Sequence, residues 1–187
     1  EKKSKATLIL KRVENPLEYG VVITDNEGRI QRFVEKPSAS EIFSDTVNTG
    51  TYILEPEVML YVLMNREQDF SNDLFPLLLL RNEPMFGYVA DGYWCDIGNL
   101  AVYRQAHRDV LDGLVKIKND LPQIEPGIFV GQGTQIDSSV KLEAPVMIGE
   151  NCRIGRETVI SSYTTIGSNV AIQEKASLKQ PVVWSNV

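Results

Sequence analysis

Every sixth residue from Val130 to Trp184 is aliphatic or aromatic: Val130, Ile136, Leu142, Ile148, Ile154, Ile160, Ile166, Ile172, Leu178 and Trp184. A repeat this regular constrains architecture over its whole length. Four residues after each member comes a second small or apolar residue, as at Val140, Val146, Cys152, Thr158, Thr164, Val170, Ala176 and Val182. Gly131, Gly149 and Gly167 are eighteen apart, as are Gly133, Asn151 and Asn169. Eighteen is three hexads, so the spacing predicts coils with three short sides and equivalent corners. Gly and Asn enter left-handed backbone most cheaply, which a tight corner needs. Coils stacked at the ordinary strand spacing of ~4.8 Å make a parallel β-helix with a continuous inner stack.

Hexapeptide helices serve acyltransferases, γ-type carbonic anhydrases and, as passive appendages, other enzymes, so the preceding residues must decide the function. The 187 residues carry a net charge of −6, which argues against nucleic acid or an anionic membrane as partner. No apolar run reaches the ~18 residues of a membrane span, and Leu77–Leu80 reads as one buried helical turn. Cys95 and Cys152 lack metal-type spacing, and a reduced cytoplasmic setting is expected. The sequence starts at Glu1 and stops within the repeat at Val187, which reads as a piece of something longer.

Before the repeat, apolar and β-branched runs predict strands over 6–13, 20–24, 29–35, 46–54 and 85–89. Asp25-Asn26-Glu27-Gly28 supplies the turn of a hairpin. A short helix is predicted from Pro56, and another through Leu74–Leu80, capped by Asp69 or Ser71. Leu100–Leu111 predicts an amphipathic helix with Leu100, Tyr103, Ala106, Val110 and Leu111 on one face, ended by Asp112-Gly113. The reading is an α/β domain over 1–113, a linker over 114–123 and the β-helix over 124–187.

Four segments carry candidate chemistry: Glu18-Tyr19-Gly20-Val21-Val22, Val34-Glu35-Lys36-Pro37, Val47-Asn48-Thr49-Gly50 and Tyr93-Trp94-Cys95-Asp96-Ile97-Gly98. In this order, followed by a helix and hexapeptide repeats, they resemble the sugar-1-phosphate nucleotidyltransferases, and within them most nearly the mannose-1-phosphate guanylyltransferases. The resemblance implies a partial nucleotidyltransferase domain of Rossmann-like α/β type, followed by a left-handed parallel β-helix. It implies an activity that joins a sugar 1-phosphate, in the nearest likeness mannose 1-phosphate, to an NTP such as GTP, with release of pyrophosphate.

The nucleophile of that reaction is an anionic phosphate oxygen, so alignment and charge neutralisation matter more than a general base. The resemblance places a metal-binding carboxylate at Asp96, where a hard oxygen ligand suits Mg²⁺, and a phosphate-binding ammonium at Lys36. It places sugar-hydroxyl partners at Glu35 and Asn48, close backbone approach at Gly20, and pocket lining at Val47 and Thr49. Read singly, the same residues have plainer uses: Glu35-Lys36-Pro37 as a charged strand end, Asp96 as a turn residue, Asn48 as the partner of a strand end.

The family resemblance also implies an early Gly-x-Gly-Thr-Arg loop for the nucleotide phosphates and an earlier metal-binding aspartate. Gly20 is the first glycine of the chain, so neither is present, and the isolated chain is expected to be inactive. One alternative is a non-catalytic relative of the same layout, like subunits of the translation-initiation exchange factor; another is a glucose-1-phosphate enzyme using a different nucleotide. Hexapeptide acyltransferases and hydratases need histidines on the coils, whereas the single His107 precedes them. Homo-oligomer formation through the β-helix is expected.

Overall fold

In a computed structural model, residues 3–38 and 44–187 are described. The chain divides into two compact units, Glu1–Trp94 and Cys95–Val187. No helix among the described residues is long and apolar enough to cross a membrane.

The first unit is a five-stranded mixed sheet of β1 (Ala6–Arg12), β2 (Gly20–Thr24), β3 (Ile30–Glu35), β4 (Thr46–Leu54) and β5 (Met85–Val89), in the order β3-β2-β4-β1-β5. β1 and β5 run parallel, while β2 is antiparallel to β3 and β4, and β4 to β1. The β2–β3 turn is held by Asp25, whose Oδ1 accepts the N–H groups of Glu27 and Arg29, each at 2.9 Å. Gly28 closes it at φ 81°, a conformation that glycine adopts without a Cβ clash.

The predicted helices between β4 and β5 form in modified shape. Pro56–Tyr61 is a 3₁₀ turn that buries only Val58. Phe70–Leu74 winds as one π turn into α1 (Phe75–Leu80). Asp69 rather than Ser71 is the cap, accepting from the Asn72 N–H at 2.8 Å. These turns lay Val58, Leu74, Phe75 and Leu78 on Ala6, Leu8, Leu10, Val22, Phe33 and Met85. Leu8, Leu10, Phe75 and Leu78 have no exposed surface, and each such side chain stabilises the unit by ~1.5–3 kcal/mol.

The second unit opens with α2 (Leu100–Leu111). Asn99 Oδ1 caps it by accepting from the Val102 N–H at 3.0 Å. Gly113 ends it at φ 74°, with the Leu114 N–H on the Asp109 carbonyl at 2.9 Å. No residue of α2 is fully buried, and Leu100, expected on the buried face, is 80% exposed.

The coils follow as predicted. β6 (Gln123–Glu125) runs antiparallel to β7 (Ile128–Val130). Three parallel stacks then form. β10 (Val146–Ile148), β13 (Thr164–Ile166) and β16 (Val182–Val183) continue from β7; β8 (Gln135–Ile136), β11 (Arg153–Ile154) and β14 (Ala171–Ile172) form the second; β9 (Lys141–Leu142), β12 (Val159–Ile160) and β15 (Ser177–Leu178) form the third. The result is a β-solenoid of about three turns. Ile148, Ile154, Ile160 and Ile166 fill its interior, with Cys152 and Val170 beside them. Thr134, Thr158 and Thr164 turn their hydroxyls onto the carbonyls of Gly149, Gln173 and Ser161, so these inward polar positions are satisfied.

Two expectations about the repeat are corrected. Gly133, Asn151 and Asn169 take positive φ as predicted, but Gly131, Gly149 and Gly167 do not occupy that region. They are required because a Cβ on each would come within 2.5–2.6 Å of backbone in the next coil. The period also slips at its end. β10 pairs with β13 at an offset of eighteen, Ile148 on Ile166, whereas β13 meets β16 at seventeen, Ile166 on Val183. Val183 takes the core position expected of Trp184, which is 70% exposed. The missing residue is taken out of the corner 179–181, where Gln180 has φ 55°.

That corner receives α2. Arg104 and Arg108 donate to the backbone and side-chain oxygens of Gln180. Tyr163 donates to Asp112 at 3.0 Å, and Trp184 Nε1 to the Tyr103 hydroxyl at 2.9 Å. These bonds explain why α2 groups with the coils although its sequence reads as the end of the preceding domain.

Candidate active site

Gly20 opens β2 and pairs with Glu35 at the end of β3. The antiparallel register that sets Val21 against Val47 sets Gly20 against Asn48, and Asn48 pairs with Leu10 of β1. Directly opposed antiparallel residues share a face. Glu35, Gly20 and Asn48 therefore form one cross-strand row with a residue lacking a side chain at its centre. A Cβ on Gly20 would stand 2.6 Å from Glu35 Oε2 and 2.8 Å from Phe33 Cζ, so the carboxylate lies across the glycine.

Lys36 follows β3 directly. It is exposed and has φ 45°, with its N–H on the Tyr19 carbonyl at 3.2 Å. A non-glycine residue in this region costs roughly 1–2 kcal/mol, and such strain concentrates at functional positions. Pro37 adds to it, since a proline disfavours compact conformations in the residue before it.

Asn48 is held at both ends of its amide: Oδ1 accepts from the Gly50 N–H at 3.0 Å, and Nδ2 donates to the Tyr52 hydroxyl at 2.8 Å. Val47 is fully buried against Val21 on the opposite face, and Thr49 donates to the Ile9 carbonyl at 2.8 Å. Their side chains shape the strand and its bulge, with Val47 offering no surface of its own.

The row joins three of the four motifs, and the first also meets the start of the fourth within the first unit. Tyr19 and Trp94 stack edge to face with centroids 5.4 Å apart, which gives Trp94 a packing role. Lys11 steadies the approach to Trp94 by donating to the carbonyls of Ala90 and Gly92. Asp96 belongs to the second unit, in an exposed turn where its carbonyl accepts the Gly98 N–H at 2.9 Å.

Among the described residues no group of three or more His, Cys, Asp or Glu could hold a metal ion. One exposed carboxylate in a turn still fits a hard cation such as Mg²⁺, which keeps several waters and takes one or two protein carboxylates together with substrate phosphates. Motif reading alone missed Tyr52. The signal for it was its place four residues after Asn48 on one strand, which returns to the same face.

Residues 1–113 match the nucleotidyl transferase family, and residues 127–162 match the bacterial transferase hexapeptide repeats. The UTP–glucose-1-phosphate uridylyltransferase of Synechocystis sp. is 38% identical over 98% of this chain and 48% of its own length. The mannose-1-phosphate guanyltransferase of Schizosaccharomyces pombe is 33% identical over 80% of this chain and 39% of its own. A Bacillus anthracis structure described as a glucose-1-phosphate thymidylyltransferase shares the fold, with a TM-score of 0.50 at 22% identity over 63% of this chain and 47% of that one. This chain thus spans less than half the length of these relatives, whose names differ in sugar and in base. With the nucleotidyl transferase match over 1–113 and the coils behind it, the chain belongs to the sugar-1-phosphate nucleotidyltransferase family.

Proposed function

We propose that this chain supplies the sugar-phosphate side of a nucleotidyltransferase site, with glucose 1-phosphate as the substrate it was shaped for. The observation that carries this is the row Glu35–Gly20–Asn48, ended by the strained cation Lys36. Glu35 accepts from sugar hydroxyls, and Asn48 both donates and accepts. Gly20 lets the ring approach the backbone. Lys36 neutralises the phosphate, which lowers the repulsion between the attacking oxygen and the nucleotide phosphates. Asp96, an exposed carboxylate of the second unit, would hold Mg²⁺, and that ion would supply further neutralisation of phosphate charge.

Glucose is favoured by the higher identity and fuller coverage of the Synechocystis relative. Mannose 1-phosphate with GTP is the second reading, favoured by the Schizosaccharomyces pombe relative. Calorimetric titration of the chain with glucose 1-phosphate, mannose 1-phosphate and free glucose tests these readings. Tighter binding of glucose 1-phosphate, weakened ~10–100-fold by Lys36→Ala as for a lost charge-assisted bond, supports the first. Preference for mannose 1-phosphate supports the second. No binding of either sugar phosphate overturns both and favours a non-catalytic relative.

We also propose that the complete protein self-associates through the solenoid, whose flat sides and strand edges suit such contact. Light scattering on the chain with and without residues 124–187 tests this; an unchanged monomer mass in both overturns it.

A further inference from the structure

We infer that Tyr52 is a positioning residue for sugar recognition, acting by fixing which way round the Asn48 amide is held; this rests on the proposed function above. The polarity of the Asn48 side chain follows from its partners. The Gly50 N–H, 3.0 Å away, can only donate, so the amide oxygen faces it. The amide nitrogen then faces Tyr52, 2.8 Å from the phenolic oxygen. That nitrogen is itself only a donor, so the Tyr52 oxygen accepts and its own proton points elsewhere. The ring cannot swing away, because it packs against Phe70 and Phe75 with centroids 5.7 and 4.9 Å distant.

Asn48 keeps one N–H and one oxygen lone pair in reserve, and Tyr52 keeps its O–H. On the far side of Gly20 stands Glu35, which only accepts. The row therefore presents an acceptor at one end and two donors with a single acceptor at the other. Adjacent hydroxyls of a pyranose, each able to donate and accept, satisfy that order. With the phenolic oxygen removed, the Gly50 contact alone holds the amide, its nitrogen loses its anchor, and a ligand must pay to order it.

The test is Tyr52→Phe in the 187-residue chain, which keeps the ring and its packing. Two quantities are read: hydrogen exchange of the Asn48 side-chain amide by ¹H–¹⁵N NMR, and affinity for glucose 1-phosphate by NMR titration. The expected result is faster exchange of the amide proton, an unchanged pattern of backbone signals for β4, and a Kd raised ~3–10-fold, as for one net hydrogen bond. Tyr52→Leu, which also loses the ring, should lower the melting temperature as well. Unchanged amide exchange in Tyr52→Phe overturns the inference, and so does faster exchange with an unaltered Kd. A wild-type chain that binds neither glucose 1-phosphate nor mannose 1-phosphate overturns the functional reading itself, a result distinct from both.

Discussion

Glu35 lies over Gly20, its Oε2 resting 2.6 Å from the point where a Cβ would stand. The glycine is thus tied to a neighbouring carboxylate as well as to ligand approach. Gly20→Ala should push Glu35 aside easily, since a flexible side chain can yield. Phe33, 2.8 Å from the same point and packed on Phe75, yields less readily. We expect a loss of ~1–3 kcal/mol from overpacking and sugar-phosphate binding weakened at least ~10-fold. Thermal melting and titration check the two parts separately.

The slip in the coils predicts a contrast between two apolar residues of one repeat. Ile160→Ala removes a side chain with no exposed surface and should cost ~2–5 kcal/mol. Trp184→Ala removes a larger but mostly exposed group and one hydrogen bond to Tyr103, so about 1 kcal/mol or less is expected. Denaturant titration gives both values, and equal losses would contradict the register described.

Several corners hold residues poorly suited to their backbone. Glu157 has φ 58° and Lys175 has φ 61°, where asparagine is better tolerated. Glu157→Asn and Lys175→Asn should each raise stability by ~0.5–1 kcal/mol. A fall in melting temperature for both would refute this.

His107 should make stability depend on pH. Its imidazole is held below the ordinary range by desolvation, so the fold prefers it neutral. The unfolded chain takes up a proton near pH ~6.5. Stability is therefore complete above that value and declines as pH falls through the lower value of the folded state. Comparing the melting temperatures of wild type and His107→Gln between pH 7.5 and 5 isolates the contribution; parallel curves would remove it.

The 187-residue chain should form no detectable nucleotide sugar from NTP, sugar 1-phosphate and Mg²⁺, since the sequence holds no glycine before Gly20 to build a phosphate-cradling loop. Pyrophosphate release checks this, and turnover above the enzyme-free control would count against it.

The strands of the first unit were legible because β-branched and apolar runs carry a local signal: 20–24 and 46–54 were delimited to the residue. The coils were legible because a six-residue period leaves no other use for so many aliphatic residues. What stayed hidden depended on distance across the fold. Trp184 satisfies the period by number alone, and only pairing between coils reveals that Val183 stands over Ile166. Leu100 fits a helical stripe, yet nothing local tells that its end of the helix stays uncovered. Gly131 and Gly133 look alike in sequence, but one answers to a neighbouring coil and the other to its own dihedral angle. Tyr52 showed in the sequence only as a residue four places after Asn48 on one strand, and its hydrogen bond to the Asn48 amide nitrogen is set by the fold.

The shortened corner at 179–181 leaves the strands on either side in step, with Leu178 still over Ile160 and Val183 over Ile166. Walls of such a prism are laid by cross-coil hydrogen bonding and admit no change of length, whereas its vertices absorb one. A count by six therefore loses its place at such a vertex while the stacking does not, and the aromatic ring at 184 is left outside, hydrogen-bonded to Tyr103 of α2.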